Sequence, residues 1–238
     1  MDIFGVALLD YQKGMVDQPY RIHRDDGWWA EDRAERYFQI DPWPHEVPAL
    51  SNISGHTLDI GCGAGRHLLW FERQGIDAVG IDASKEAVEV CRLRKCKAVV
   101  EFDVMSDTND GKLSRADTIT LLGNNIGIGG SFDGACTLFE RLKGLAKPDG
   151  QMIVTGIDVT ATDNPTHLAD HERNLGAGQR RSEMKMRFEY KDQMGPWISW
   201  YHPETSEVDE IASLTGWDVN KLETLDSGFF WAVLKQKA

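Results

Sequence analysis

Residues 57–66 read Thr57-Leu-Asp-Ile-Gly-Cys-Gly-Ala-Gly-Arg66, an apolar run that ends in three alternating glycines and passes at once into a helical pattern. This order predicts a strand, a tight turn and a helix N-terminus, where backbone can come close to a ligand. The G-x-G-x-G spacing is one residue shorter than the G-x-G-x-x-G that cradles a dinucleotide pyrophosphate. Asp59 precedes the first glycine, and its carboxylate would repel a phosphate but attract an ammonium group.

Two further strands are predicted to end in acids. The apolar run 78–82 ends in Asp82, and an acid at that position of nucleoside-binding α/β folds accepts the ribose hydroxyls. The run 97–103 ends in Asp103 and is followed by Val104. Such a pair can bind an adenine amino group and pack on the ring, so the sequence predicts a nucleoside site rather than an isolated glycine turn.

The fourth and fifth strands complete the pattern. Residues 117–122 run into Gly123-Asn124-Asn125, whose side-chain amides are predicted to face the ligand. A turn predicted at Lys147-Pro-Asp-Gly150 leads into the fifth strand, 151–157. Strand, glycine turn, acid, acid and Pro-Asp-Gly turn therefore fall in one order over about a hundred residues.

In this order the motifs resemble the class I S-adenosylmethionine-dependent methyltransferases, and the chain looks like a small bacterial member that acts on small molecules. The resemblance covers roughly residues 55–157 and returns at the C-terminus, where a helix and two strands are expected after residue 203. It implies an α/β fold with a Rossmann-like, seven-stranded, mostly parallel sheet, an antiparallel last strand, and helices on both faces. It also implies S-adenosyl-L-methionine as cofactor, bound by Asp59, Gly61, Cys62, Gly63, Gly65, Asp82, Ala83, Asp103, Val104, Gly123, Asn124 and Asn125.

Composition limits the class of protein. The 238 residues are 41% hydrophobic and 27% charged, as expected for one globular domain. No apolar run approaches the roughly 20 residues that span a membrane, and the first residues lack the cations of a secretory signal. Four cysteines without framework spacing favour a reducing, cytoplasmic setting, although a bridge between Cys91 and Cys96 is an alternative.

The net charge of −12 bears on partners. Nucleic-acid binding depends on cations that neutralise phosphates, so the acidic balance disfavours RNA or DNA as a substrate. The DPPY or NPPY tetrapeptide that related families use on base amines is also missing after the fourth strand. We therefore expect a small-molecule acceptor, which could be anionic, no nucleic-acid or membrane partner, and a monomer or homodimer.

Four segments are expected along the chain. Residues 1–54 show no strand pattern and predict a helical lid, in which Trp28 and Tyr37 cover the cofactor or shape the acceptor site; packing on the sheet is the alternative. Residues 55–157 form the cofactor-binding core. Residues 158–202 are an insert with a β-hairpin that caps the substrate, and residues 203–238 supply a helix and the last two strands of the core.

Several candidate catalytic and substrate-binding residues lie in the insert. Three histidines, His167, His171 and His202, lie in it, and a histidine could remove the proton of a hydroxyl acceptor; solvated loop histidines are the alternative. Arg173 and Arg181 could clamp an anionic group on the substrate, or pair with surface acids. Trp200 on the second strand of the hairpin is a further candidate for the acceptor site.

No metal is expected. His167 and His171 have a spacing that could hold one, but further ligands are not evident. The magnesium-dependent catechol-type methyltransferases also need an acid where this chain has Gly123-Asn124-Asn125. The sequence thus favours methyl transfer to an oxygen or nitrogen of a small molecule. A nicotinamide-dependent oxidoreductase and a catalytically silent cofactor-binding or scaffolding protein are the alternatives.

Overall fold

The computed structural model describes residues 1–16 and 18–237. The helices are α1 (Ile3–Gln12), α2 (Val47–Leu50), α3 (Arg66–Arg73), α4 (Lys85–Leu93), α5 (Phe132–Leu145), α6 (Pro165–Gly176) and α7 (Thr205–Thr215). The strands are β1 (Tyr20–Arg24), β2 (Trp29–Asp32), β3 (Thr57–Ile60), β4 (Ala78–Asp82), β5 (Val99–Glu101), β6 (Ala116–Leu121), β7 (Ala146–Ile157), β8 (Glu183–Tyr190), β9 (Gln193–Met194), β10 (Ile198–Tyr201), β11 (Trp217–Thr224) and β12 (Phe229–Gln236).

The larger sheet has seven strands in the order β11-β12-β7-β6-β3-β4-β5. Strands β3 to β7 pair in parallel, whereas β12 is antiparallel to both β7 and β11. The predicted seven-stranded fold is thereby confirmed. The order of strands reverses between β3 and β6, and ligands of open α/β sheets bind in the crevice at such a switch point.

Helices bury both faces of this sheet. On one face Leu138 and Leu142 of α5 and Trp217 of β11 belong to the main apolar cluster, all fully buried. On the other, Leu68 and Phe71 of α3 pack with Leu122 in a second cluster. These side chains of α3 and α5 recur at helical spacing in the sequence. Because helices cover both faces of the sheet, the carboxyl ends of the parallel strands form its open edge.

A smaller antiparallel sheet lies beside this edge, with the order β10-β8-β1-β2 and with β9 paired to β8. The hairpin predicted within 158–202 is therefore present. Its apolar face carries Met184 and Met186, and these pair in register with Trp200 and Ile198 of β10. Lys185 and Arg187 alternate with these methionines along β8, so the strand has an apolar and a charged face.

The expectation that residues 1–54 contain no strand was wrong, whereas the role of this segment as a lid stays a prediction. Helix α1 is present, but β1 and β2 occupy two stretches of this segment, and residues 34–37 form only a 3₁₀ turn. Strand β1 exists because it pairs with β8, Ile22 opposite Phe188, and that partner is too distant in sequence for local periodicity to reveal it. The predicted Pro-Asp-Gly turn is likewise part of β7, where the register with β6 shifts.

A buried ion pair fastens the N-terminal segment to the core. Glu46 is 2% exposed, and one of its oxygens contacts Arg66 Nη2 and lies 3.4 Å from His67 Nε2, both at the start of α3. Burial by itself raises the pKa of Glu46, but hydrogen bonds and charge from His67 and Arg66 outweigh it and lower that pKa to about 2. Arg66 also lies 4.3 Å from the ring centroid of Trp43. His67 is buried as part of this cluster.

Replacing Glu46 with glutamine is expected to lower the free energy of unfolding by about 3 kcal/mol at pH 7, because it leaves the Arg66 charge buried without a counter-ion. Urea denaturation measures the loss. The surface pair of Asp41 and Arg73, at 3.3 Å, supplies the control: Asp41→Asn should cost less than about 1 kcal/mol.

The same pair predicts a pH dependence. The pKa of Glu46 falls from 4.5 to about 2 on folding, so its contribution is complete above pH 4.5 and is lost as the pH falls toward 2. The difference in stability between the wild type and Glu46→Gln should shrink over that window. A difference that stays constant between pH 6 and pH 3 would contradict the assignment.

Among the described residues no helix is both long and apolar enough to cross a membrane.

The four cysteines are free thiols, so the alternative of a bridge between Cys91 and Cys96 is not realised. Cys91 Sγ instead lies 3.2 Å from the carbonyl oxygen of Gly63, behind the glycine turn.

Candidate functional site

The glycine turn after β3 is held from two sides. The backbone N–H groups of Gly61 and Cys62 donate to the carbonyl of Ile81, at 2.8 and 3.1 Å. Asn125 Nδ2 donates to the carbonyls of Ile60 and Gly61, at 2.7 and 2.9 Å. Gly63 adopts φ 54°, and a Cβ there would meet no atom within 4 Å. The turn is thus rigid yet open above Gly63, where a ligand can approach backbone.

Asp82 joins this turn to the next helix. Its two carboxylate oxygens accept hydrogen bonds from the backbone N–H groups of Gly63 and Ser84, both at 2.8 Å. Burial raises the pKa of Asp82 while these two bonds oppose the rise. The predicted acid therefore stands next to the glycine turn, with lone pairs remaining for a hydroxyl ligand.

Asp59 is buried at the end of β3. Its Oδ1 accepts a hydrogen bond of 2.7 Å from the Thr120 hydroxyl, while Oδ2 is buried without a partner. Burial raises its pKa, and nearby His67, Thr120 and Arg66 oppose that rise. A buried carboxylate oxygen with no donor is costly, and an ammonium group on a ligand would satisfy it.

The ends of β6 and β7 form the other side of the crevice. Gly123 donates from its backbone N–H to Thr155 Oγ1 at 2.8 Å, and Asn124 Oδ1 accepts from the N–H of Ile157 at 2.7 Å. Asn124 itself adopts φ 70°. These bonds fix the loop that the sequence predicted to face the ligand.

A cavity of about 810 Å³ lies between this crevice and the smaller sheet. Its first half contains five of the predicted cofactor residues, namely Asp82, Ala83, Gly123, Asn124 and Asn125. Its second half contains six predicted acceptor-site residues, namely Trp28, Tyr37, His167, His171, Trp200 and His202. Two sets predicted from separate parts of the sequence therefore line one continuous space.

The other seven predicted cofactor residues lie outside this lining, namely Asp59, Gly61, Cys62, Gly63, Gly65, Asp103 and Val104. The last two lie further along the chain than the glycine turn. Asp103 accepts hydrogen bonds from the backbone N–H of Met105 and the Ser106 hydroxyl, both at 2.8 Å, so both its oxygens are engaged in its own turn. Val104 is 6% exposed and packs in the main apolar cluster. Their contact with adenine stays a prediction.

The three histidines of the insert meet at the cavity. His167 Nδ1 lies 3.2 Å from Thr162 Oγ1, its Nε2 is buried without a partner, and its ring packs edge-on against Trp28 at 5.2 Å. Burial lowers the pKa of His167 and of His171, and the charge of Arg24 adds to the effect. The same causes lower the pKa of His202 to about 4. The neutral form of all three rings therefore predominates at pH 7.

The predicted arginine clamp is not brought to the cavity. Arg173 contacts Asp170, and Arg181 Nη1 pairs with Glu204 Oε1 at 3.1 Å. Both side chains follow the alternative of pairing with acids. Arg24 lines the cavity instead, bonded to Asp26 at 3.0 Å and Asp170 at 3.1 Å.

Sequence reasoning missed Arg24 because it missed β1, and it also missed Asp158. Asp158 lines the cavity, but its oxygens accept from the backbone N–H and hydroxyl groups of Thr160 and Thr205 at 2.6 to 2.9 Å. Burial raises the pKa of Asp158, but these bonds outweigh burial and lower it. Asp158 therefore ties the end of β7 to the start of α7 rather than offering a free base.

The residues fit S-adenosylmethionine. Asp59 Oδ2 is an unsatisfied buried acceptor that suits an ammonium group, Asp82 offers a carboxylate to a ribose, and the backbone is open above Gly63. Across residues 1–16 and 18–237, no group of three or more histidine, cysteine, aspartate or glutamate side chains is placed to hold a metal ion.

Comparisons with known proteins agree with this fit. A family model described as a methyltransferase domain matches residues 29–219. The chain is 32% identical, over 134 residues, to a ubiquinone biosynthesis O-methyltransferase of Chelativorans sp., a match that covers 56% of this chain and 50% of that protein. A protein of the same name from Alkalilimnicola ehrlichii is 30% identical over 103 residues, 40% of this chain and 42% of the relative. The chain thus spans half the length or less of these curated relatives.

Solved structures share the fold. A methyltransferase of Bacteroides fragilis, in complex with S-adenosyl-L-homocysteine, superposes with a TM-score of 0.84 over 100% of this chain and 95% of that one, at 23% identity. The CcbJ methyltransferase of Streptomyces caelestis superposes with a TM-score of 0.62 over 85% of this chain and 98% of that one, at 14% identity.

Proposed function

The chain belongs to the family of methyltransferase domains, and from that premise we propose that it transfers the methyl group of S-adenosylmethionine to a hydroxyl oxygen of a small molecule. The observation that carries the proposal is the shared cavity, in which the cofactor half adjoins three neutral histidines. Family membership favours methyl transfer over the oxidoreductase and the silent scaffold.

Each half of the cavity has its own task in this proposal. Asp59 and the glycine turn hold the amino-acid end of the cofactor, Asp82 holds the ribose, and Asn124 and Asn125 border the donor methyl group. Trp28, Tyr37 and Trp200 enclose the acceptor together with Met184 and Met186. An aromatic and thioether wall of this kind suits a flat, weakly polar acceptor.

His167 is the proposed general base. In the tautomer whose Nδ1–H donates to Thr162 Oγ1, the lone pair is on Nε2, the buried nitrogen without a partner. Nε2 would accept the proton of the acceptor hydroxyl as the oxygen becomes nucleophilic. Bound S-adenosylmethionine supplies an electrophilic methyl group on a positively charged sulfur that leaves as a neutral thioether. His202 is the weaker candidate, because a pKa of about 4 makes its ring a poor base at pH 7.

Oxygen is preferred over nitrogen for a physical reason. A neutral amine attacks with its own lone pair and needs no base before it reacts, whereas a hydroxyl does. An aromatic amine is neutral at pH 7 and would therefore need the histidines less than a hydroxyl does. The curated relatives carry the name of O-methyltransferases, which supports the same choice.

Methyl transfer to a panel of phenols, aliphatic alcohols and aromatic amines tests the proposal. Mass spectrometry should detect a methyl ether of at least one hydroxyl compound and no methylated amine. Calorimetry should show micromolar binding of S-adenosylmethionine and S-adenosylhomocysteine but not of NADH. Methylation confined to amines would refute the hydroxyl acceptor, and tight NADH binding would refute the reaction class.

A further inference from the structure

The outer face of the smaller sheet carries a second concave surface, which we call the cationic groove. It has a volume of about 570 Å³, and the lining residues used here are His23, Arg24, Trp28, Lys185, Arg187 and Trp197. Asp25 is the acid in this lining; it is already engaged by the backbone N–H of Lys185 at 3.1 Å and by Arg173 at 3.8 Å. A surplus of cations thus collects locally on a chain whose net charge is −12.

Arg187 differs from the other arginines of the insert. Arg173, Arg180 and Arg181 each pair with a carboxylate, whereas within the described residues no carboxylate lies within 4 Å of the Arg187 guanidinium or the Lys185 ammonium. Arg187 Nε is buried without a hydrogen-bond partner. An acidic protein has many carboxylates with which to satisfy a surface arginine, so an arginine without one is available to a ligand.

The geometry also orients this guanidinium. Its central carbon lies 4.4 Å from the ring centroid of Trp197, and the indole, 44% exposed, restricts the side chain. A planar guanidinium held against an aromatic ring presents a fork of N–H donors that matches the oxygens of a phosphate or carboxylate. Lys185 adds a mobile positive charge two residues away on the same face of β8.

We propose that the cationic groove binds the phosphate or carboxylate group of a small organic molecule between Arg187 and Lys185. Arg24 and Trp28 line both this groove and the acceptor cavity, so the two sites adjoin at the β1–β2 turn. The oxyanion belongs either to the distal end of the acceptor or to a separate small anion. The binding itself goes beyond the proposed methyl transfer and does not depend on it.

Calorimetry with phenyl phosphate tests the groove, with benzyl alcohol as the neutral probe. We expect phenyl phosphate to bind with a dissociation constant below about 1 mM, more weakly as salt is raised, and benzyl alcohol not to bind there. Arg187→Ala should weaken phenyl phosphate at least about tenfold, the effect of losing one charge-assisted pair. Arg187→Lys, which keeps the charge but not the fork, should fall between.

Arg180→Ala is the matched control, because Arg180 is already paired with Glu210 at 2.9 and 3.0 Å; it should leave the affinity unchanged. A thermal melt of each variant shows that it is folded. Equal affinity in the wild type and Arg187→Ala, or no binding to the wild type, would overturn the proposal.

A second arm distinguishes the two sources of the oxyanion. A phenol that is methylated is compared with its analogue bearing a phosphate monoester on a short chain. A KM at least about tenfold lower for the ester, lost in Arg187→Ala, assigns the groove to the acceptor. Equal KM values, with phenyl phosphate still bound through Arg187, assign it to a separate anion. If no hydroxyl compound of the panel is methylated, the proposed acceptor class fails but the binding measurement still decides the groove.

Discussion

The Asp82→Ala variant is expected to lose at least about 100-fold in affinity for S-adenosylhomocysteine. The carboxylate accepts one backbone N–H bond from Gly63 of the glycine turn and one from Ser84 at the start of α4, and in our proposal it also holds the ribose. Hydrogen bonds to a charged group contribute roughly 1.5–3 kcal/mol each, so losing the bonds that the carboxylate would accept from the two ribose hydroxyls costs about 3–6 kcal/mol of binding. Calorimetry at neutral pH measures the loss directly.

The control for this variant is Asp77→Ala, which removes the same charge from a side chain that is 69% exposed and that, among the described residues, pairs with His56. Its affinity should stay within a factor of two of the wild type. Asp103→Asn is informative as well, since a large loss there would support contact of Asp103 with adenine. An unchanged affinity in Asp82→Ala, with the fold intact, would refute the ribose assignment.

The second large effect is expected on the chemical step. His167→Gln should lower kcat about 10²- to 10⁴-fold, the usual contribution of a positioned general base, while leaving the affinity for S-adenosylhomocysteine unchanged. Glutamine keeps a polar group near Thr162 but cannot accept the proton. A loss confined to KM would instead assign His167 to acceptor binding.

The pH dependence of kcat is a second test of His167 as the general base. Burial lowers the pKa of His167 below its ordinary 6.5, so the neutral ring persists to lower pH and the acid limb of kcat should lie below pH 6.5. Activity then falls as the ring is protonated. The limb should disappear in His167→Gln and persist in His202→Gln; a limb that survives the first substitution would point to another base.

The sequence located the cofactor half of the cavity well because its signals are local. A strand, a glycine turn and an acid at the next strand end follow one another in the chain, and parallel strands bring their carboxyl ends to one edge. Asp82 and the Gly123–Asn125 loop therefore meet as predicted. Asp103 shows the limit, since a turn that closes on its own acid looks the same in sequence as an acid free to bind adenine.

The acceptor half depends on pairings that a single sequence does not display. Strand β1 forms against β8, and His23 and Glu189, which contact each other across that pair, are 166 residues apart in the chain. Without β1, Arg24 could not be placed at the cavity. Arg173 and Arg181 were predicted as a clamp, yet whether an arginine faces a ligand or Glu204 depends on tertiary neighbours.

The smaller sheet also sets an order of events during synthesis. Its first two strands are made early, but β8 and β10 leave the ribosome only after most of the chain, so Ile22 has no partner until Phe188 has appeared. Contacts between such distant residues are slow to form because a long loop must close first. The cofactor half of the cavity needs only β3 to β7 and their helices, so it can form before the smaller sheet encloses the other half.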